Sequence, residues 1–218
     1  MASSLNRPDA GLPRLYAILD LESAFARGLQ PLGVLSAWLD AGVRLVQLRA
    51  KSLTFGPFVE LAETVVARCH AANAVCIVND RADVALLAAA DGVHVGQADL
   101  TVDEVRLVFP GARHVGLSTH TADQLTAALR TGASYVAFGP VFETTSKAKP
   151  DPAVGPAGLA AVRALMRADP RALVAIGGIT AESAPLVIQS GADAVAVIAD
   201  LVDGDPGARA RALLGALA

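Results

Sequence analysis

Aromatic side chains supply only 4% of the 218 residues, although 53% of the chain is hydrophobic. The core must therefore be aliphatic, which suits parallel strands buried on both faces with small-residue helices packed over them. Basic blocks are absent and the net charge is −3. Nucleic acid and anionic membrane surfaces are thus not expected partners, and any anion site has to be assembled locally. Apolar runs are short. None reaches the roughly 18 residues of a membrane span, and residues 1–13, read as a loose leader, lack the apolar segment of a signal peptide. Cysteine is scarce. Cys69 and Cys76 stand seven apart with no matching Cys or His cluster, which is not a zinc spacing. They read as small thiols of a reducing, cytoplasmic compartment.

What the chain does have is repetition. Aliphatic runs at 15–19, 43–48, 75–78, 92–95, 115–118, 133–138, 173–176 and 194–198 read as strands. Helical patterns fill 31–41, 55–72, 82–89, 101–109, 121–131, 156–167, 181–189 and 206–216. Thr101 with Glu104 forms a capping box, and Gly42, Gly132 and Gly191 stand where helices end before the next strand. Eight strand–helix units in one domain over 14–218 predict a (β/α)8 barrel with parallel strands. A doubly wound sheet is the alternative, but it usually carries a Gly-rich nucleotide-binding turn after its first strand. The residues after Asp20 have no such run.

A parallel barrel builds its active site from the C-terminal ends of its strands. The polar residues there are Gln47, Arg49, Lys51, Asn79, Asp80, Gln97, Asp99, Ser118, His120, Thr144, Ser146 and Lys147, with Gly177-Gly178 after the seventh strand. Each has a bland explanation as a turn or cap, and residues 139–147 could be a polar surface loop. Their recurrence at successive strand ends is the functional signal. Asp80 and Asp99 follow neighbouring strands about 4.8 Å apart, so both carboxylates can reach one hard cation such as Mg²⁺. Cations at Arg49, Lys51 and Lys147 facing that metal imply a polyanion between, most simply a diphosphate. Gly177-Gly178 before a helix suits a second, single phosphate bound by backbone amides.

The stretches Gln47-Leu48-Arg49-Ala50-Lys51, Asn79-Asp80, His94 to Asp99, Val115 to His120, Gly139 to Lys147 and Ala175 to Ile179 resemble the thiamine phosphate synthase family, in the family's order and through nearly the whole chain. The resemblance implies a (β/α)8 transferase of thiamine biosynthesis that joins a pyrimidine diphosphate to a thiazole phosphate with release of pyrophosphate. It assigns Asp80 and Asp99 to Mg²⁺. It sets Gln47, Leu48, Arg49, Ala50, Lys51, Asn79, Ser118 and Lys147 around the pyrimidine diphosphate. Thr144, Thr145, Ser146, Gly178, Ile198 and Ala199 would surround the thiazole phosphate. Two positions depart from the family pattern: Ala50 stands where Glu is common, and Ala199 where Ser or Thr is common.

On this reading Lys147, Lys51 and Ser118 carry the catalysis by stabilising the departing diphosphate. No protein nucleophile is needed and none is evident. Ser118 has no obvious base, His120 reads as structural or peripheral, His70 and His114 as solvated, and His94 as an interior residue that needs a partner. The loop to Gly155, the longest on the rim, is expected to close over substrates. The partners are small molecules, and a homo-oligomer is left open. Two rivals remain: a thiazole tautomerase-like isomerase, which would need neither the metal pair nor the lysines, and a non-catalytic barrel that binds a phosphorylated ligand.

Overall fold

A computed structural model describes residues 12–144 and 151–218. Eight parallel strands close into a barrel in sequence order. They are β1 (Leu15–Asp20), β2 (Leu45–Arg49), β3 (Val75–Asn79), β4 (Gly92–Val95), β5 (His114–Thr119), β6 (Tyr135–Phe138), β7 (Ala172–Ile176) and β8 (Ala194–Val197). Tyr16 pairs in register with Ala196, which seals β1 to β8. The outer helices are α1 (Leu21–Phe25), α2 (Pro31–Ala41), α3 (Phe55–Ala71), α4 (Ala82–Leu87), α5 (Val102–Val108), α6 (Ala122–Ala128), α7 (Gly155–Leu165), α8 (Ala184–Gln189) and α9 (Pro206–Ala216), with a 3-10 turn at Ala199–Val202. Among the described residues no helix is long and apolar enough to cross a membrane.

Strand alternation divides the core in two. A larger cluster lies between sheet and helices, with Leu48, Val78, Val195 and Trp38 among its members. A smaller one fills the barrel, from Tyr16, Ile18, Leu45, Ile77, Tyr135, Val174 and neighbouring alanines. With so few aromatics, Trp38 is an anchor. It is fully buried, and its indole Nε1 donates to the Leu201 carbonyl at 3.2 Å, joining α2 to the turn before α9. On the barrel's N-terminal face Arg171 donates to the carbonyls of Ala128, Leu129, Thr131 and Ala133 and pairs with Asp169.

The expected elements are present, with shifts at their ends. The capping box forms, Thr101 accepting from the Glu104 amide and the Glu104 carboxylate accepting from the Thr101 amide. β2 begins two residues late because the Val43 N–H is committed to the Trp38 carbonyl behind the left-handed Gly42 cap. α1 was not expected. Asp20 caps it by accepting from the Ser23 amide at 2.8 Å. The 3-10 turn after β8 was also not expected. Thr145, Ser146 and Lys147, residues 148–150 of the loop, and residues 1–11 of the leader lie outside the described residues.

Candidate functional site

The C-terminal strand ends open onto one cavity of about 380 Å³. Gln47, Arg49, Asn79 and Ser118 line one side of it, and Thr144, Gly178, Ile198 and Ala199 the other. Eight of the nominated residues thus share one space. Lys51, Asp80 and Asp99 are not among its lining, and neither are Leu48 and Ala50. The last two point outward from β2 and its end and are 0% and 3% exposed in the sheet–helix core, so only their backbone is available to a ligand.

Two acidic–basic groups organise the rim. Lys51 Nζ lies 3.2 Å from Asp80 Oδ2. The Asp99 carboxylate lies beside that of Asp80. Burial first, and then the neighbouring Asp99 charge, push Asp80 above the usual carboxylate range, with Lys51 opposing. Asp99 Oδ2 also accepts from the Gly96 amide at 2.7 Å. Asp80 has a left-handed backbone, φ 63°, and its amide donates to the His94 carbonyl. Two carboxylates forced together at a half-buried rim are a donor set for a hard divalent cation, which can take one or two protein carboxylates and fill its remaining positions with phosphate oxygen and water. Among the described residues no larger group of acidic, His or Cys ligands gathers. In the second group, the Arg49 guanidinium is bonded to the buried Asp20 and lies 3.7 Å from Glu22. Asp20 was missed in the sequence. Its position at the end of β1 was the available signal.

The opposite side is shaped by backbone. Gly177 and Gly178 both have positive φ, 101° and 63°. A Cβ on Gly177 would lie 2.4 Å from Pro140, and one on Gly178 would lie 2.3 Å from the Glu143 carbonyl. Only glycine allows that approach. The 140–143 loop is stitched there, the Val141 amide donating to Ile176 and the Phe142 amide to Gly177. Val154 and Gly155 return to donate to the carbonyls of Pro140 and Val141. The loop's neck is therefore fixed, and Thr144 and Gly178 line the same cavity.

The histidines differ from expectation. Ser118 does have a histidine beside it: His94 Nε2 is 2.8 Å from Ser118 Oγ, and Nδ1 is 3.0 Å from the Tyr135 hydroxyl. The neighbour came from β4, 24 positions away, which proximity in sequence could not reveal. His120 bonds the Gly139 carbonyl at 2.7 Å, lies 3.6 Å from Asp151, and also lines the cavity. His70 is not simply solvated, since Nε2 lies 3.0 Å from Asp91 Oδ2. His114 is half-buried, and that burial lowers its pKa.

The thiamine monophosphate synthase family profile matches residues 15–201. The thiamine-phosphate synthase of Koribacter versatilis is 43% identical over 219 residues, covering 98% of each chain. That of Chlorobium luteolum is 39% identical over 211 residues, covering 96% of this chain and 94% of its own. Among solved structures, thiamine phosphate pyrophosphorylase from Pyrococcus furiosus superposes with a TM-score of 0.82 at 26% identity, over 94% of this chain and 95% of that one.

Proposed function

The chain belongs to the thiamine monophosphate synthase family, and on that premise we propose that it joins 4-amino-2-methyl-5-(diphosphooxymethyl)pyrimidine to 4-methyl-5-(2-phosphoethyl)thiazole, giving thiamine phosphate and pyrophosphate. The observation that carries the assignment is the single cavity shared by Gln47, Arg49, Asn79 and Ser118 with Gly178, Ile198 and Ala199. Two phosphorylated substrates need two anion sites facing one reaction space. An isomerase of one thiazole phosphate would need only the Gly178 side and would have no use for the crowded Asp80–Asp99 pair with Lys51 beside it.

Asp80 and Asp99 would hold Mg²⁺, which when bound would neutralise charge on the diphosphate as it leaves. Lys51, Lys147 and Ser118 meet the diphosphate oxygens, and Arg49 stays poised at the same rim. Gln47 and Asn79 orient the pyrimidine. Leu48 and Ala50 contribute backbone only. Gly178 and the 198–199 amides, with Thr144, Thr145 and Ser146, hold the thiazole phosphate, and no hydroxyl helps at Ala199. The C–O bond between the pyrimidine methylene and diphosphate breaks, and its electron pair leaves with the diphosphate. The aminopyrimidine carries the resulting cation. The thiazole nitrogen then donates its lone pair to the methylene carbon. The protein supplies position and fixed charge, the largest usual contributors to such a barrier. Purified protein mixed with both substrates and Mg²⁺ should release one pyrophosphate per thiamine phosphate. Absence of pyrophosphate under those conditions refutes the assignment.

A further inference from the structure

The chain has two tyrosines, Tyr16 and Tyr135, and both are closed inside the barrel at 1% exposure. Their hydroxyls meet at 2.9 Å. Gln47 Nε2 donates to the Tyr16 hydroxyl at 2.8 Å. At the far end the Tyr135 hydroxyl meets His94 Nδ1 at 3.0 Å, and His94 Nε2 meets Ser118 Oγ at 2.8 Å. Five side chains from β2, β1, β6, β4 and β5 thus form one line across the barrel interior. The rings are held in place by packing. Tyr16 and Tyr135 meet edge to face at 6.0 Å, and His94 stacks on Tyr135 at 5.6 Å. Gly116 keeps the middle open: a Cβ there would lie 2.1 Å from Tyr135 and 2.4 Å from His94 Nδ1.

Proton counting gives the line a direction. An amide NH2 only donates, so the Tyr16 oxygen accepts from Gln47. Its single proton then goes to Tyr135, and the Tyr135 proton goes to His94 Nδ1. Burial pushes both phenols above their ordinary range, so both keep their protons. A neutral His94 that accepts at Nδ1 carries its proton on Nε2 and donates it to Ser118 Oγ. The Ser118 proton is left for the cavity that Ser118 lines.

We propose that this line fixes the Ser118 hydroxyl as a donor toward the substrate, with His94, Tyr135 and Tyr16 as positioning residues that act through it. The inference rests on the reading of Ser118 as a contact to the leaving diphosphate. In the opposite direction, with the Gln47 carbonyl turned to Tyr16, Ser118 would donate to His94 and present a lone pair to an anion. A freely rotating hydroxyl can adopt either state. The line removes that choice before substrate arrives, and reorganisation avoided in advance is how fixed dipoles lower barriers.

Nitrogen-15 NMR of the full chain labelled at its four histidines, with His94 assigned by its loss in His94→Gln, reads the direction without any activity. Above neutral pH and without ligand, His94 should be the neutral Nε2–H tautomer. An Nδ1–H tautomer or an imidazolium overturns the proposal. The kinetic partner is a double-mutant cycle. Tyr135→Phe should lower kcat by about 10-fold, the scale of one hydrogen bond to a charged group. In the Ser118→Ala background the same change should move kcat by less than about 2-fold, because contacting groups are not additive. Equal losses in both backgrounds mean a merely structural role and refute the positioning. If wild type releases pyrophosphate while His94 is the wrong tautomer, only this inference fails. If wild type releases none, the reading beneath it fails.

Discussion

Asp80→Asn separates the metal-binding role proposed for the Asp80–Asp99 pair from its effect on the fold. Asn preserves shape and tolerates a left-handed backbone, which matters at φ 63°. Ala at this φ would add strain of about 1 kcal/mol or more and blur the result. In the metal-free protein the Asp80 charge is disfavoured, because burial and Asp99 together outweigh Lys51. Removing that charge should therefore stabilise the fold, although it also dissolves the Lys51 ion pair at 3.2 Å. At a rim open to water the net gain is on the order of 0.5–1 kcal/mol, a rise in Tm of roughly 1–4 °C for a domain of this size. The sign also fixes the pH dependence. A carboxyl raised above its ordinary 3.8 in the folded state keeps its proton after the unfolded chain has lost one. Metal-free wild type should thus lose stability as pH rises from about 3.8 through the raised value, and Asp80→Asn should lose less over that window. With Mg²⁺ and pyrophosphate the order should reverse, since ligand stabilises only the form that binds it. Turnover of the variant should fall by about 100-fold or more. Melting curves at several pH values, with and without Mg²⁺ and pyrophosphate, decide the matter. A variant that melts lower than wild type without metal, or that turns over at the wild-type rate, refutes the argument.

Two further changes test the opposite ends of the barrel. Ala199→Ser restores a hydroxyl at the cavity wall and should lower KM for the thiazole phosphate by up to about 10-fold with kcat little changed, the scale of one hydrogen bond to a charged group; an unchanged KM would show that backbone amides already saturate that phosphate. Arg171→Met strips four carbonyls and Asp169 of their shared donor and should lower stability by about 2–4 kcal/mol, seen as an earlier melt with activity at low temperature retained. An unshifted melt refutes it.

The barrel was readable because its determinants are local. Aliphatic runs, the Gly42 and Gly191 stops and the Thr101–Glu104 box lie within a few residues of what they specify, and these formed, whereas α6 ends at Ala128, short of the expected stop at Gly132. α1 escaped notice because five residues hold too little periodicity, and its cause is a single cap, Asp20. The rim residues were equally readable, since a strand's end can be read from the strand. Their partners were not. Arg49 finds Asp20 across 29 positions, and Ser118 finds His94 across 24. Such pairs exist only once the sheet has closed. Strand alternation could have separated Leu48 and Ala50 from Gln47 and Arg49 beforehand, because neighbours on a strand face opposite ways.

The stitched neck beneath Thr144 has a consequence for how such a site changes over generations. Val154 and Gly155 return to the carbonyls of Pro140 and Val141, and Val141 and Phe142 are tied to β7 and Gly177. The entropy of closing the excursion is thus met at its base by hydrogen bonds that do not involve residues 144–151. Lengthening a closed loop adds little further entropy. Those ties run backbone to backbone and put no demand on the identity of the side chains beyond them. Gly177 and Gly178, which allow the stitching, carry the opposite burden: changing either alters the scaffold and the site together.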